Sequence, residues 1–223
     1  MYITDLNAWF NIDFANYANP LYFNATSSLN LNGTKVENLV IPDELTVIKQ
    51  KAFRGYKGLK TVVLPQIITI SDDAFFGCEN ISAVYYKGSF EDYKGADPKL
   101  VIGSNNRRIS GNLYFKVDNA AAVPNEAGNY WYYDDESNIV GVQKFAVTFN
   151  LGYDGATDTP EAQVVTKDGK ATEPSSPTRE CYTFAGWFTA SENGEQFDFN
   201  TPITANTTLY AYWTADTQPT PNT

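Results

Sequence analysis

Apolar positions recur in a fixed figure along the first half of the chain. Val36-x-x-Leu39-x-Ile41, Leu59-x-x-Val62-x-Leu64 and Ile81-x-x-Val84-x-Tyr86 each place three apolar side chains on one side of a short strand. Between them a second figure repeats: Ala52-Phe53-x-Gly55 returns as Ala74-Phe75-x-Gly77. The pairs Ile48/Ile70, Ala52/Ala74, Phe53/Phe75, Gly55/Gly77, Leu59/Ile81 and Val62/Val84 are all 22 positions apart. A period in the twenties is that of leucine-rich solenoids, in which a single coil cannot bury its own apolar side and neighbours must stack. The small Ala52 and Ala74 let a turn approach the sheet, Phe53 and Phe75 fill the space between coils, and Gly55 and Gly77 suit a backbone reversal at positive φ.

The flanks read as caps. Asp5 is an N-cap for a helical stretch from Asp5 to Phe14, in which Trp9 and Phe10 face the solenoid end, and Asn19-Pro20 forms a helix stop. Asn32-Gly33 predicts a hairpin. After the repeat, Ser89-x-x-Asp92 resembles a capping box opening a short helix in "FEDYKG". "LVIG" and "NLYFKV" continue as strands, and Tyr130–Tyr133 is expected against Ile139–Val142 in a further hairpin. The first domain therefore spans residues 1–143.

From Lys144 the texture changes. Phe145, Val147 and Phe149 alternate with Ala146 and Thr148, which is the pattern of a half-buried strand. "AQVVTKDGK" predicts a strand ending at Asp168-Gly169, Phe184–Phe188 another, and Leu209, Ala211 and Trp213 alternate with Tyr210 and Tyr212 in a last one. A second domain is placed at residues 144–214, and 215–223 is a Thr/Pro-rich tail too poor in apolar residues to pack.

These residues resemble two families. "LVIPDELTVIKQKAFRGYKGLKTVVLPQIITISDDAFFGCENIS" resembles the BspA-type leucine-rich repeat, with Cys78 at that family's Gly-Cys position and Tyr56 in its place one unit earlier. "VTFNLGYDG", "PSSPTRECYTFAGWFT" and "FDFNTPITANTTLYAYW" resemble the Listeria–Bacteroides repeat, also called the internalin B-repeat, with Cys181 where the family has glycine. The resemblance implies a short, capped, β-rich α/β leucine-rich-repeat solenoid followed by a small β-grasp-like module, α+β or mostly β. It further implies a bacterial cell-surface or secreted protein that binds other proteins, with the second module as a stalk.

Composition narrows the chemistry. The 223 residues carry 26 acids, 16 Lys and Arg, and no histidine, for a net charge of −10. That balance disfavours nucleic acid, which needs clustered cations, and removes the commonest general base and metal ligand. No apolar run approaches the ~18 residues of a membrane span, so no membrane insertion is expected in this segment. Cys78 and Cys181 cannot hold zinc alone. A bridge between them has no support in the sequence. Asp134, Asp135 and Glu136 lack a calcium-loop pattern and read as a solvated turn. Arg107 and Arg108 sit in a polar loop that could meet an acidic partner but reads as a solvated turn. Trp187 and Trp213 are sugar platforms or core; in so small a domain, core is expected.

No enzyme, cofactor or metal site is therefore expected. The outward side chains of the repeat strands, Asn38, Val40, Thr61, Val63, Ala83 and Tyr85, form the candidate binding face, unusually apolar for an exposed sheet. A partner on a host or neighbouring cell surface, protein or glycan, fits that face, with this chain a monomer. A passive spacer and a glycan-binding module remain open alternatives. The opening residues lack the basic start and long apolar stretch of a leader, so leader and anchor are expected outside this chain.

Overall fold

A computed structural model describes residues 1–14, 19–22 and 28–216. In chain order the elements are β1 (Tyr2–Ile3), α1 (Leu6–Asn11), β2 (Asn30–Leu31), β3 (Thr34–Lys35), β4 (Asn38–Val40), β5 (Val47–Ile48), β6 (Thr61–Leu64), β7 (Ile68–Ile70) and β8 (Ala83–Tyr86). There follow α2 (Phe90–Lys94), β9 (Leu100–Ile102), α3 (Arg107–Ser110), β10 (Leu113–Lys116), a 3₁₀ turn (Ala120–Ala122), β11 (Gly128–Tyr133), β12 (Ile139–Asn150), β13 (Gln163–Thr166), β14 (Tyr182–Phe188) and β15 (Thr207–Ala215). The chain divides into two compact units: Met1–Val123 with Asn129–Gly141, and Pro124–Gly128 with the chain from Val142 onward.

The first unit is a leucine-rich-repeat solenoid. Strands β4, β6, β8 and β10 lie parallel side by side, and the repeat positions fall in register: Leu39 beside Val62, Val62 beside Val84, Val84 beside Leu113. The opposite wall is a second parallel sheet, β5–β7–β9, in which Ile48, Ile70 and Ile102 align. All the apolar side chains assigned inward from the pattern are buried in one cluster, from Val36, Leu39 and Ile41 to Ile81, Val84 and Tyr86. Phe53 and Phe75 stack face to face at 5.1 Å with an 11° interplanar angle. The backbone links the coils at the same place, Phe53 N–H donating to Ala74 O and Gly55 N–H to Phe76 O. Gly55 and Gly77 both have positive φ, 76° and 77°, which glycine adopts without the strain a Cβ would bring.

The capping devices follow from the local sequence. Asp5 accepts from Asn7 N–H at the start of α1, and the helix ends at Asn11, short of the expected Phe14. Ile12 turns extended, and its N–H closes on Trp9 O. So short a helix suffices to bury Trp9 and Phe10 against Phe53, at ring separations of 6.4 and 5.8 Å. Residues 15–18 and 23–27, part of the expected cap, lie outside the described residues, as does the tail from 217. Asn32 and Gly33 both take positive φ between β2 and β3, the turn the dipeptide predicts. Ser89 and Asp92 form a reciprocal capping box at α2.

The second unit holds four strands in the order β13–β12–β15–β14. β12 and β15 run parallel, and β13 and β14 are antiparallel to their neighbours. No helix occurs among its described residues, so the module is mostly β. Its core is Val147, Phe149, Leu151, Val165, Trp187, Ile203 and Leu209 with smaller neighbours. Trp187 is core, packed on Phe149 at 4.9 Å and Phe184 at 5.4 Å, while Trp213 is half-buried with its indole N–H on Leu151 O. The family motif "PTRECY" has a visible physical role. Asp158 accepts from both the N–H and hydroxyl of Thr178. The Arg179 guanidinium lies over Tyr182 at 3.8 Å and Tyr153 at 4.6 Å, with Trp213 at 5.9 Å. Cys181 takes φ +62°, and Gly186 φ +129° sits at the bulge in β14. Both cysteines are unpaired, Cys78 buried and Cys181 exposed.

Candidate functional site

Register places the six candidate residues in two rows on the face of the β4–β6–β8 sheet opposite the core. Asn38, Thr61 and Ala83 form one row; Val40, Val63 and Tyr85 form the other, continued by Tyr114 of β10. Thr61 Oγ1 donates to Asn38 Oδ1 at 2.8 Å, which holds the first row in place. The rows are not uniformly open. Val40 is 56% exposed, Asn38 is exposed, and Thr61 and Tyr85 are half-buried. Val63 is 5% and Ala83 7% exposed, so little of either is available to a partner. The free end of the face is therefore the β4 end.

The aromatic residues that neighbour Tyr85 were not among the candidates. Its ring meets Tyr114 at 5.4 Å and Trp131 at 5.7 Å, and Trp131 meets Tyr133 at 5.1 Å. Trp131 is fully buried and donates its indole N–H to Tyr86 O at 2.8 Å. A Cβ on Gly141 would lie 3.3 Å from the Tyr114 ring and 3.5 Å from that of Tyr85, so glycine there lets the backbone close over the tyrosines. Burial raises the Tyr85 phenol above its usual range, and burial with the neighbouring Tyr85 does the same to Tyr114. Both stay neutral donors at physiological pH. The signal for this cluster was present as "NYWYY", but its placement beside β10 depends on a parallel pairing, Phe115 with Tyr130 and Lys116 with Trp131, which no turn motif specifies.

At the other end, β4 pairs only with β6 among the described residues and is the last strand in its sheet order. A cavity of about 280 Å³ opens there, lined by Leu6, Leu31, Val36, Leu39, Val40 and Asn38 among others. Its rim is charged. Glu37 joins Lys35 at 2.8 Å and Lys60, and its hydrogen bonds to those two lysines draw its carboxyl down to about 2. An apolar pocket beside an unpaired strand edge can take a side chain and main-chain bonds from an added strand.

No group of three or more metal-ligating side chains occurs among the described residues. The Cys78 thiol donates to Phe53 O, and burial pushes its pKa up to about 12, so it supplies no thiolate nucleophile. No helix among the described residues is long and apolar enough to cross a membrane.

Comparison with known proteins agrees with the geometry. Residues 26–95 match the BspA type leucine rich repeat region, and residues 145–212 match the Listeria-Bacteroides repeat domain. Internalin H of Listeria monocytogenes serovar 1/2a (strain ATCC BAA-679 / EGD-e) is 36% identical over 83 residues, 36% of this chain. The chain spans only 14% of that relative's length. Register, stacked interior and matched segments together identify a BspA-type leucine-rich repeat region followed by a Listeria–Bacteroides repeat domain.

Proposed function

We propose that this chain is a non-enzymatic bacterial surface or secreted segment that binds a protein on a host or neighbouring cell through the β4 end of its repeat sheet. The supporting observation is the coincidence there of a strand edge unpaired among the described residues, the exposed Val40 and an apolar cavity. An extended segment of a partner would hydrogen-bond along β4 and lodge an apolar side chain against Leu31, Val36 and Leu39. Asn38 and Thr61 would supply polar contacts beside it. The Listeria–Bacteroides repeat domain serves as a stalk in this reading, and the resemblance to an internalin supports placement outside the cell.

The test is binding of labelled chain to the surface of candidate target cells. Val40→Asp puts a charge at the centre of the patch without disturbing the core. It is expected to weaken binding by roughly tenfold or more, as truncation of a central contact does. Protease treatment of the target cells should abolish binding. Undiminished binding by V40D, or binding that survives protease, contradicts the proposal. A spacer role draws support from the burial of Val63 and Ala83, which narrows the free face. It is favoured if no cell-surface protein is retained by the wild-type chain.

A further inference from the structure

The loop carrying Arg107 and Arg108 borders a second cavity, of about 520 Å³, on the side of the solenoid where Phe53 and Phe75 turn. Phe75, Phe76, Gly77, Glu79, Asn105, Arg107 and Arg108 line it. We propose that this cavity binds a carboxylate-bearing sugar, the two guanidinium groups holding the carboxylate and the exposed Phe76 ring meeting the apolar face of the sugar.

Three observations support this. First, Arg107 and Arg108 are exposed and make no ion pair among the described residues, in a chain of net charge −10. The acids nearest the cavity are already engaged: Glu79 with Lys57 at 3.3 Å, and Asp73 with Arg54 at 3.6 Å and with Asn105 Nδ2 at 2.8 Å. Glu79 lines the cavity but has Lys57 as its partner, so Arg107 and Arg108 are the lining charges without an ion-pair partner among the described residues, and guanidinium groups favour bidentate pairing with carboxylate.

Second, the loop is held in place from within. Asn106 is buried; its side-chain amide donates to Ser71 O and Gly103 O at 2.9 Å each and its carbonyl accepts from Phe75 N–H at 2.9 Å. Ser104 N–H donates to Asp72, and Ile109 is fully buried behind the arginines. The two cations are therefore presented on an anchored turn, which lowers the ordering cost of binding. Third, Phe76 is 42% exposed, and Arg54 lies over its ring at 5.1 Å. A large exposed ring next to unpaired guanidinium groups offers an apolar and an anionic subsite within one sugar's reach. An acidic peptide side chain would use the arginines and leave the ring idle, so the sugar is the better fit.

The experiment is an NMR titration of the full chain with sodium digalacturonate, with the neutral disaccharide galactobiose and a triglutamate peptide as parallel arms. Saturable shifts confined to residues around 75–79 and 105–108 are expected with digalacturonate only, and they should weaken as salt is raised. R107A and R108A should each reduce affinity roughly tenfold or more. R107K and R108K, which keep charge and lose the fork, should fall between them and the wild type. F76A should weaken binding while leaving the salt dependence intact. These side chains are exposed, so an unchanged thermal melt separates lost binding from lost fold. Absence of saturable shifts, an equal response to galactobiose, tighter binding of triglutamate, or R107A and R108A binding like wild type would each overturn the proposal. None of these results bears on binding at β4.

Discussion

Replacing Phe53 with alanine tests the coil stacking directly. Phe53 is fully buried and packs against the rings of Phe75, Trp9 and Phe10. Deleting such a ring costs about 3–5 kcal/mol, part lost transfer energy and part residual cavity. Against a typical domain stability of about 5–15 kcal/mol, that is a large fraction. At an m-value near 2 kcal/mol/M, a 4 kcal/mol loss moves the urea midpoint by about 2 M. The sharper quantity is the coupling with Phe75. If the two rings stack as a pair, F53A/F75A loses less than the sum of the single variants by about 0.5–1.5 kcal/mol. Urea unfolding of the four chains, followed by circular dichroism, measures both. A single-variant cost below ~1 kcal/mol, or strict additivity, would refute the stacked interior.

The remaining predictions concern strain, the arginine stack and pH. Cys181 sits at φ +62° with its side chain exposed, so Cys181→Gly should stabilise the second unit by about 0.5–1 kcal/mol after glycine's entropy is subtracted; the reverse change at Gly77, G77A, should cost about 1–2 kcal/mol, both read from thermal melts. Arg179→Ala removes a cation enclosed by Tyr153 and Tyr182 and should cost about 1–2 kcal/mol, whereas Arg179→Lys should recover part of it; an R179A melt equal to wild type would contradict the stack. In acid, Glu37 and Asp92 are both held below their usual range, Glu37 by hydrogen bonds from Lys35 and Lys60 and Asp92 first by Lys99 and then by Ser89 N–H. A lowered folded-state pKa gives stability that is present above the unfolded value, near 4, and lost as pH falls toward 2. Stability measured by urea unfolding should therefore drop over that window. E37Q and D92N should flatten the drop, and a drop of wild-type steepness in both would contradict the assignment.

Much of the first unit was legible because its interior repeats. Ile48 and Ile70 occupy equivalent positions in successive coils, in register on neighbouring strands, and the spacing alone says so. The third coil was legible only in pieces. Ile102 stands in register with Ile70, but α2 and its connections lengthen the interval, so no period marks it. The positive φ of Lys51 and Asp73, repeated at Asn105, falls on three different residue types, so no single residue marks it along the repeat. The candidate face shows a different limit. Alternation identifies which side chains point away from the core, but Val63 and Ala83 are buried and Val40 is not, and the alternating pattern is the same at all three. Which later aromatic strand settles beside β10 is a long-range choice, made by Trp131 and its bond to Tyr86 O. In the second unit the strands followed from alternation, while the stack around Arg179 depends on Thr178, Tyr153 and Tyr182 meeting across the fold.

The most direct measurement is site-specific photo-crosslinking on intact target cells. A photoreactive side chain at Val40 and one at Val101, which is similarly exposed on the β5–β7–β9 wall, differ mainly in position. The account predicts a discrete cross-linked cell-surface protein from position 40 and none from position 101. Equal capture at both, or capture only at 101, would contradict it.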